Sequence, residues 1–268
     1  MQTRNSDFNI LTARISDFAR RSLAGELSVS SFLSPSEAAV AKAVLFEKKI
    51  AHRAVFFGGY PEAERQRMFL LPSYTDDFEG GAEAKLSTYF SDEQKEGVCS
   101  VLVRGSGYRQ LSHRDYLGSV LSLGLERDAL GDIVLLDKTC AVIFCPSKIC
   151  EFLKVSLERI SNDAVTVSDF AVTDSFSAHK ELKRINDTVA SNRLDCVVGA
   201  LTGLSREKAQ ELIKKEQCQL NYITECRSDR ALETPCVLTL RGYGKFVLRE
   251  LDGFTKKGRL KMSADKYI

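Results

Sequence analysis

The sequence has no apolar run approaching the roughly 20 residues needed to cross a bilayer. Its opening residues, MQTRNSDFNILTARISDF, break their apolar positions with Arg and Asp too often for a secretory signal. The two absences argue against membrane-spanning and exported classes and make the cytoplasm the expected location. Eight cysteines, at 99, 140, 145, 150, 196, 218, 226 and 236, contain no Cys-x-x-Cys pair. Cys140, Cys145 and Cys150 are each separated by four residues, across what reads as strand, strand end and helix. Structural zinc sites usually draw on closely spaced ligand pairs, so no metal site is expected and the thiols read as reduced and mostly buried. Catalytic signatures are also missing. Gly105-Ser106-Gly107 lacks the third glycine and the acidic partner of a dinucleotide loop. His113-Arg114-Asp115 imitates a kinase catalytic loop, but Val120 stands where asparagine belongs and no Asp-Phe-Gly follows. The expectation is a protein with neither cofactor nor catalytic centre.

What is present is ordinary for a water-exposed globular chain. With 268 residues, 44% hydrophobic and 28% charged, it can fill two or three cores. The net charge of +2 is unevenly spread: residues 186–268 hold 15 Lys and Arg against 11 Asp and Glu, and residues 1–185 hold 23 against 25. The basic excess lies toward the carboxyl end, where a phosphate surface or a solvated basic face would look alike.

Along the chain, Phe8, Leu11, Ile15, Phe18 and Leu23 predict an amphipathic helix over 7–24. Ser34-Pro35-Ser36-Glu37 is a capping box with proline at the first helical position, so a second helix should run to about Lys49. Ala54–Phe57 reads as a strand, Gly58-Gly59 as a tight turn in preference to a phosphate cradle, Pro61–Gln66 as a helical turn, and Met68–Leu71 as a strand. Residues 73–96 are polar and acidic and mark a boundary. Then come a strand at Val98–Val103, a helix at Ser112–Leu123, strands at Asp132–Leu136 and Ala141–Phe144, a helix at Ser147–Ile160, and a strand at Val165–Ser168. The order β-α-β-β-α-β is that of the ferredoxin-like split unit, the scaffold of the RNA-recognition motif. The basic-glycine-aromatic signature of that motif is missing from Asp137–Phe144. Contacts with RNA would fall to loops and the helix start, at Arg104, Tyr108, Arg109, His113 and Arg114. Residues 171–185, with Lys180, Lys183 and Arg184, read as a basic joint.

The stretch from Arg193 to Asn221 organises the rest. Leu194, Val197, Val198 and Leu201 form one apolar face, Thr202-Gly203 a turn, and Ser205 caps a second helix that buries Ala209, Leu212 and Ile213. The outward side carries Arg206, Lys208, Gln210, Lys214 and Lys215, a composition suited to a phosphate backbone. Strands at Tyr222–Cys226, Val237–Leu240 and Phe246–Leu251 should make a small sheet behind this hairpin. Arg241, Lys245 and Arg249 would extend its positive surface, with Gly242 and Gly244 making a bulge or a close approach. Asp195 is expected to brace the hairpin.

The run Arg193-Leu194-Asp195, Ser205-Arg206, Ala209, Leu212-Ile213 and Asn221 resembles the RNA-binding domain named after a small-subunit ribosomal protein, here the S-four domain. Leu240–Phe246 resembles its glycine-bearing strand. The likeness covers about 186–262 and departs at Glu216-Gln217-Cys218, where that family usually has a glycine and then a β-branched residue. FLSPSE, FFGGYPEAERQRMFLLPSY and YRQLSHRDYLGSVLSLGL resemble the N-terminal and middle regions of the bacterial YlmH family. The expected fold is α+β: an N-terminal α/β domain (1–75), a ferredoxin-like candidate RNA-binding domain (76–170), a linker (171–185) and an S-four domain (186–268) with its helical hairpin on a small sheet.

Candidate RNA contacts are Arg193, Ser205, Arg206, Lys208, Gln210, Lys214, Lys215, Arg241, Tyr243 and Lys245, with Arg109, His113 and Arg114 from the middle domain. The resemblance implies a non-catalytic, monomeric partner of the translation apparatus that binds ribosomal RNA and transfer RNA on the large ribosomal subunit. It also implies a part in rescuing obstructed nascent chains, and a link to cell division has been attached to the family. The alternative is an RNA-modifying enzyme anchored by the same domain. A pseudouridine synthase would need a second Arg-Leu-Asp besides 193–195, and a methyltransferase a glycine-rich cofactor loop.

Overall fold

In the computed structural model, which describes residues 2–77, 79–82, 84, 86, 97–173, 176–178 and 182–267, the Ser34 capping box closes as its spacing requires. The Ser34 hydroxyl accepts from the Glu37 amide at 3.4 Å, and the Glu37 carboxylate accepts from the Ser34 amide at 2.7 Å. A cap of this kind stabilises a helix start by about 1 kcal/mol. It launches α2 (Pro35–Glu47), which packs on α1 (Gln2–Leu23). The chain falls into two units, residues 1–179 and 180–268.

In the first unit, β1 (Ser28–Leu33), β2 (Ala54–Phe57) and β3 (Gln66–Leu70) form an antiparallel sheet in the order β1-β3-β2. Leu11, Ile15 and Ala19, spaced by four along α1, meet Ala41 and Leu45 of α2 and Met68 and Leu70 of β3. Phe8 and Leu23, expected on the same stripe, are 38% and 64% exposed. The apolar face is therefore narrower than the sequence pattern. Pro61–Gln66, expected as a helical turn, is an irregular turn that leads into β3 at Gln66. Of the acidic boundary stretch, residues 78, 83, 85 and 87–96 lie outside the described residues. Ser73–Asp77 is a 3-10 turn whose Asp76 carboxylate is clasped by the Arg53 guanidinium and touched by His52 at 3.2 Å.

The larger sheet of this unit contains β4 (Val98–Gly105), β5 (Ile133–Leu135), β6 (Cys140–Pro146), β7 (Arg159–Ile160) and β8 (Asp163–Asp169), in the order β5-β6-β4-β8-β7 and antiparallel throughout. Helix α3 (His113–Ser122) lies between β4 and β5, and α4 (Ser147–Ser156) follows β6. The long elements thus run β-α-β-β-α-β. Helix α4 ends four residues before the expected Ile160, because Arg159–Ile160 pairs with Asp163–Ala164 as a hairpin. Leu157 and Ile160 reach the same core without continuing the helix.

One face of this sheet, with Val101, Val103, Ile143 and Cys145, is covered by Tyr116 and Val120 of α3 and Leu153 of α4. The opposite face is covered over β5 and β6 and left open over β8, where Thr166 and Ser168 are exposed. Val142 and Phe144 are fully buried beside Tyr60, Ala63, Phe170 and Phe176. The Phe144 ring sits 4.9 Å from that of Tyr60 and 5.7 Å from that of Phe176, each pair contributing about 1 kcal/mol beyond its buried area.

A polar seam holds Tyr60 in place. Asp132 accepts from the Tyr60 hydroxyl at 2.8 Å and from the amides of Glu64 and Arg65 at 2.7 and 3.1 Å. Arg65 in turn donates to the carbonyls of Phe32 at 2.8 Å and Leu130 at 3.0 Å. Gly58-Gly59 serves this packing. A Cβ on Gly58 would stand 2.3 Å from the Arg65 carbonyl oxygen, and one on Gly59, whose φ is +103°, 2.3 Å from the Phe144 ring.

In the second unit, β9 (Leu182–Val189), β10 (Cys218–Leu220), β11 (Ile223–Thr224), β12 (Cys236–Leu240), β13 (Gly244–Phe254) and β14 (Leu260–Tyr267) form one sheet in the order β11-β10-β12-β13-β14-β9. The sheet expected here was smaller. Leu182–Ile185, expected in the joint, pair with Ala264–Tyr267 as the start of β9. Helices α5 (Leu194–Thr202) and α6 (Arg206–Lys214) lay Leu194, Val197, Val198, Ala209 and Ile213 against Leu238, Leu240, Phe246 and Leu248. Gly203, at φ +73°, closes α5 in the left-handed conformation that favours glycine.

Candidate nucleic-acid interface

Asp195 stands in the first turn of α5, where the helix amides are already engaged. The Leu194 amide donates to Arg230 at 2.8 Å and the Asp195 amide to Ser228 at 3.0 Å, both to backbone carbonyls. The carboxylate therefore turns to side chains. Its oxygens accept from Arg193 at 3.2 Å twice, from Arg206 Nε at 3.0 Å and from Gln210 Nε2 at 2.8 Å. Arg206 and Gln210 are one helical turn apart, so both reach the same point from α6. Burial alone would push the Asp195 carboxyl up; the bonds from Arg193, Gln210 and Arg206 outweigh it and hold the group well below the usual carboxylate range. Asp195 is fully buried, while the Arg193 and Arg206 side chains stay 37% and 59% exposed. One buried negative charge thus fixes two guanidinium groups whose outer edges remain in water.

The outward residues of α6 divide between two faces. Arg206, Gln210 and Lys214 recur every four residues along the flank next to Asp195. Lys208 and Lys215, seven apart, share another side with Glu211, which accepts from Lys215 at 3.3 Å. Ser205 caps the helix by accepting from the Lys208 amide at 3.4 Å. Lys214 and Lys208 are exposed and make no side-chain hydrogen bond or ion pair among the described residues.

At the far end of α6 the chain closes in a Schellman arrangement. The Glu216 amide donates to Ile213 at 3.0 Å and the Gln217 amide to Leu212 at 3.2 Å, with Glu216 at φ +58°. This is the position where the resemblance calls for glycine. The Arg241 amide then donates to the Gln217 carbonyl at 2.9 Å, tying the β12–β13 turn to this helix end. Gly242 and Gly244, at φ +86° and +109°, shape that turn, with Leu240 opposite Gly244. Arg241 is exposed and Tyr243 is half-buried against the core. The Lys245 ammonium lies 5.0 Å from the Tyr222 ring and 4.7 Å from the Tyr267 ring, a cation–π arrangement.

Arg109, His113 and Arg114 belong to the first unit, all exposed, with His113 opening α3. Desolvation, followed by the nearby Arg127 guanidinium, lowers the His113 pKa. The neighbouring Gly105-Ser106-Gly107 loop is filled by a carboxylate of the chain itself. Asp163 accepts from the Ser106 amide at 3.0 Å and from the Ser106 hydroxyl. Among the cysteines, Cys145 and Cys150 bring their sulfurs to 3.2 Å in the core, and no group of three His, Cys, Asp or Glu among the described residues is arranged to hold a metal ion.

A second cluster of the same kind was not anticipated. Asp265, 4% exposed, accepts from Arg184 Nε at 2.7 Å and from Arg249 Nε at 2.8 Å. Its carboxyl is held below the usual range by the Arg249 bond first, against burial, and then by Arg184. The pairing of β14 with β9, which sets Arg184 opposite Asp265, and with β13, which carries Arg249, brings these residues together. Nothing in their sequence spacing marks them.

Two family models match successive parts of the first unit. Residues 11–75 match the family model described as "YlmH, N-terminal", and residues 102–174 match the one described as "Putative RNA-binding domain in YlmH". The chain is 25% identical over 241 residues to the ribosome-associated protein quality control protein P2 of Bacillus subtilis (strain 168), covering 90% of this chain and 87% of that protein. It is also similar to the solved structure of the cell division protein ylmH from Streptococcus pneumoniae, with a TM-score of 0.49 and 17% identity over 65% of this chain and 95% of that one. Residues 11–75 and 102–174 thus match, in chain order, the N-terminal model of the YlmH family and the model described as its "Putative RNA-binding domain".

Proposed function

We propose that this protein is a non-catalytic RNA-binding factor of the translation apparatus, and that its second unit is an S-four domain that grips folded RNA by shape and phosphate. The observation that carries this reading is the Asp195 cluster, which holds two guanidinium groups and one amide along a single edge of the α5–α6 hairpin. Lys214 continues that edge, and Arg241 lies beyond the helix end to which its backbone is tied. Fixed arginines suit phosphate oxygens, and contacts of this kind position RNA with little reading of base edges. The RNA-binding family model and the ribosome-associated role named for the Bacillus relative support an RNA partner on the ribosome, and within that reading the proposed ligands are ribosomal RNA and transfer RNA on the large subunit. The relative's name also supports a task in ribosome-associated quality control, proposed here as action on stalled nascent chains by a cytoplasmic monomer.

Asp195 also bears on the enzymatic alternative. A carboxylate with no solvent exposure and three side-chain partners is committed to holding the hairpin, which leaves it poorly placed as the nucleophile of a pseudouridine synthase.

Filter binding of the full chain to transfer RNA and large-subunit RNA fragments across a salt series tests the reading. Replacing Lys214 and Arg241 by Glu spares the Asp195 cluster. Each lost phosphate contact should lower the salt slope by about 1. Unchanged affinity and slope would remove this edge from consideration.

A further inference from the structure

The central strands of the sheet of residues 98–169 have both faces covered, so bases cannot stack there as they do on the sheet of an RNA-recognition motif, and the uncovered strip runs along β8 and the end of β4, at Arg104, Thr166 and Ser168. The contact surface of this domain must lie at an edge or an end. At the end where β4 finishes, Tyr108 is 95% exposed, more than any other large apolar side chain among the described residues. A single exposed ring would by itself mean little. Here the loop that carries it is fastened along its length. The Gly105 amide donates to Thr139 at 2.8 Å, Ser106 is bonded to Asp163, the Tyr108 amide donates to Ser106 Oγ at 3.3 Å, and the Leu111 amide donates to Lys138 at 2.8 Å beside the buried Leu111 side chain. Gly107, at φ +90°, makes the turn that lifts the ring outward.

The cations nearby are uncommitted. Arg104, Arg109 and Lys138 are exposed and make no side-chain hydrogen bond or ion pair among the described residues. The carboxylates at this end are occupied: Asp163 by Ser106, and Asp137 by Thr139 and Cys140 at 2.6 to 2.9 Å. An aromatic ring on a fastened backbone among uncommitted cations offers a face for a base and charge for its phosphates, and the cost of ordering the loop is met when the chain folds.

We propose that Tyr108 is a stacking platform for an unpaired nucleobase, with Arg104, Arg109 and Lys138 receiving the flanking phosphates. This assignment rests on the RNA-binding reading above and deepens it. Paired bases are stacked on each other and present no open face, so the platform selects single-stranded or extruded nucleotides.

The test uses the full chain with two probes, a short single-stranded RNA containing 2-aminopurine and the same strand in a perfect duplex. Tyr108→Ala should bind the single strand about tenfold more weakly and lose the quenching of 2-aminopurine, with duplex affinity unchanged. Tyr108→Phe, which keeps the ring, should behave as the native chain. Native binding and quenching retained by Tyr108→Ala would overturn the platform and leave the RNA reading standing. A native chain that binds neither probe, nor transfer RNA or large-subunit RNA, would overturn both. An acidic peptide of equal charge losing affinity equally on Tyr108→Ala would reassign the loop to a protein partner.

Discussion

Arg206, at the start of α6, places its Nε 3.0 Å from Asp195 Oδ2, in the first turn of α5, joining the two helices of the hairpin through one buried charge. Removing the two partners should have unequal effects. Asp195→Ala leaves Gln210 without its acceptor and removes the shared anchor of two arginines, which can rehydrate because both are partly exposed. The expected loss is about 2 kcal/mol. Arg206→Ala leaves Asp195 with Arg193 and Gln210 and should cost about 1 kcal/mol. Urea unfolding of both variants checks the order, and equal losses would mean that Asp195 does not anchor the cluster.

The same carboxylate makes stability depend on acid. Asp195 and Asp265 both have folded-state pKa values below those of the unfolded chain. Their contribution is fully present above the unfolded value, near pH 4, and is lost as pH falls toward the folded values. Urea midpoints should be flat from pH 7 to about pH 5 and then decline. Asp195→Asn should decline less steeply. A native profile that stays flat down to pH 3 would contradict the depressed values.

Glu216 occupies the left-handed position of the Schellman closure of α6 with a side chain that disfavours it. Glu216→Gly relieves a cost of about 1–2 kcal/mol in the folded chain and gives some of it back as unfolded-state freedom. A net gain of up to about 1 kcal/mol is expected, read as a higher melting temperature.

Two glycines of the first unit should respond to alanine in opposite directions. Gly59→Ala drives a methyl group into the Phe144 ring at a positive φ and should cost about 3 kcal/mol or more. Gly118→Ala, within α3 and with nothing near its Cβ direction, should stabilise by about 0.5–1 kcal/mol. Thermal melts of the two variants moving the same way would contradict the packing at Gly59.

Features encoded within a few residues were the legible ones. The capping box at Ser34 could be read because cap and partner are three residues apart, and it forms. The hairpin faces of α5 and α6 followed from apolar periodicity, and a bracing part for Asp195 followed from its place in the hairpin. Its bonds to Arg206 and Gln210, 11 and 15 positions away, did not, because they depend on how two helices cross. Strand β9, LKRINDTV, escaped notice because seven of its eight positions are exposed or half-buried and show no clear alternation. The covered part of the large sheet's second face was equally hidden. Tyr60 and Phe176 meet Phe144 from far along the chain on either side, and no local pattern announces that meeting.

That meeting has a practical consequence for anyone cutting the gene. The matched segments 11–75 and 102–174 look like separable modules, yet Tyr60 and the 58–65 turn are part of the lining of the second module. A truncation beginning near residue 97 would strip an oily plate of Leu102, Val142 and Phe144 bare, and the piece would be prone to clump. Physically the first two modules are one folding body, and a scissor point belongs after it.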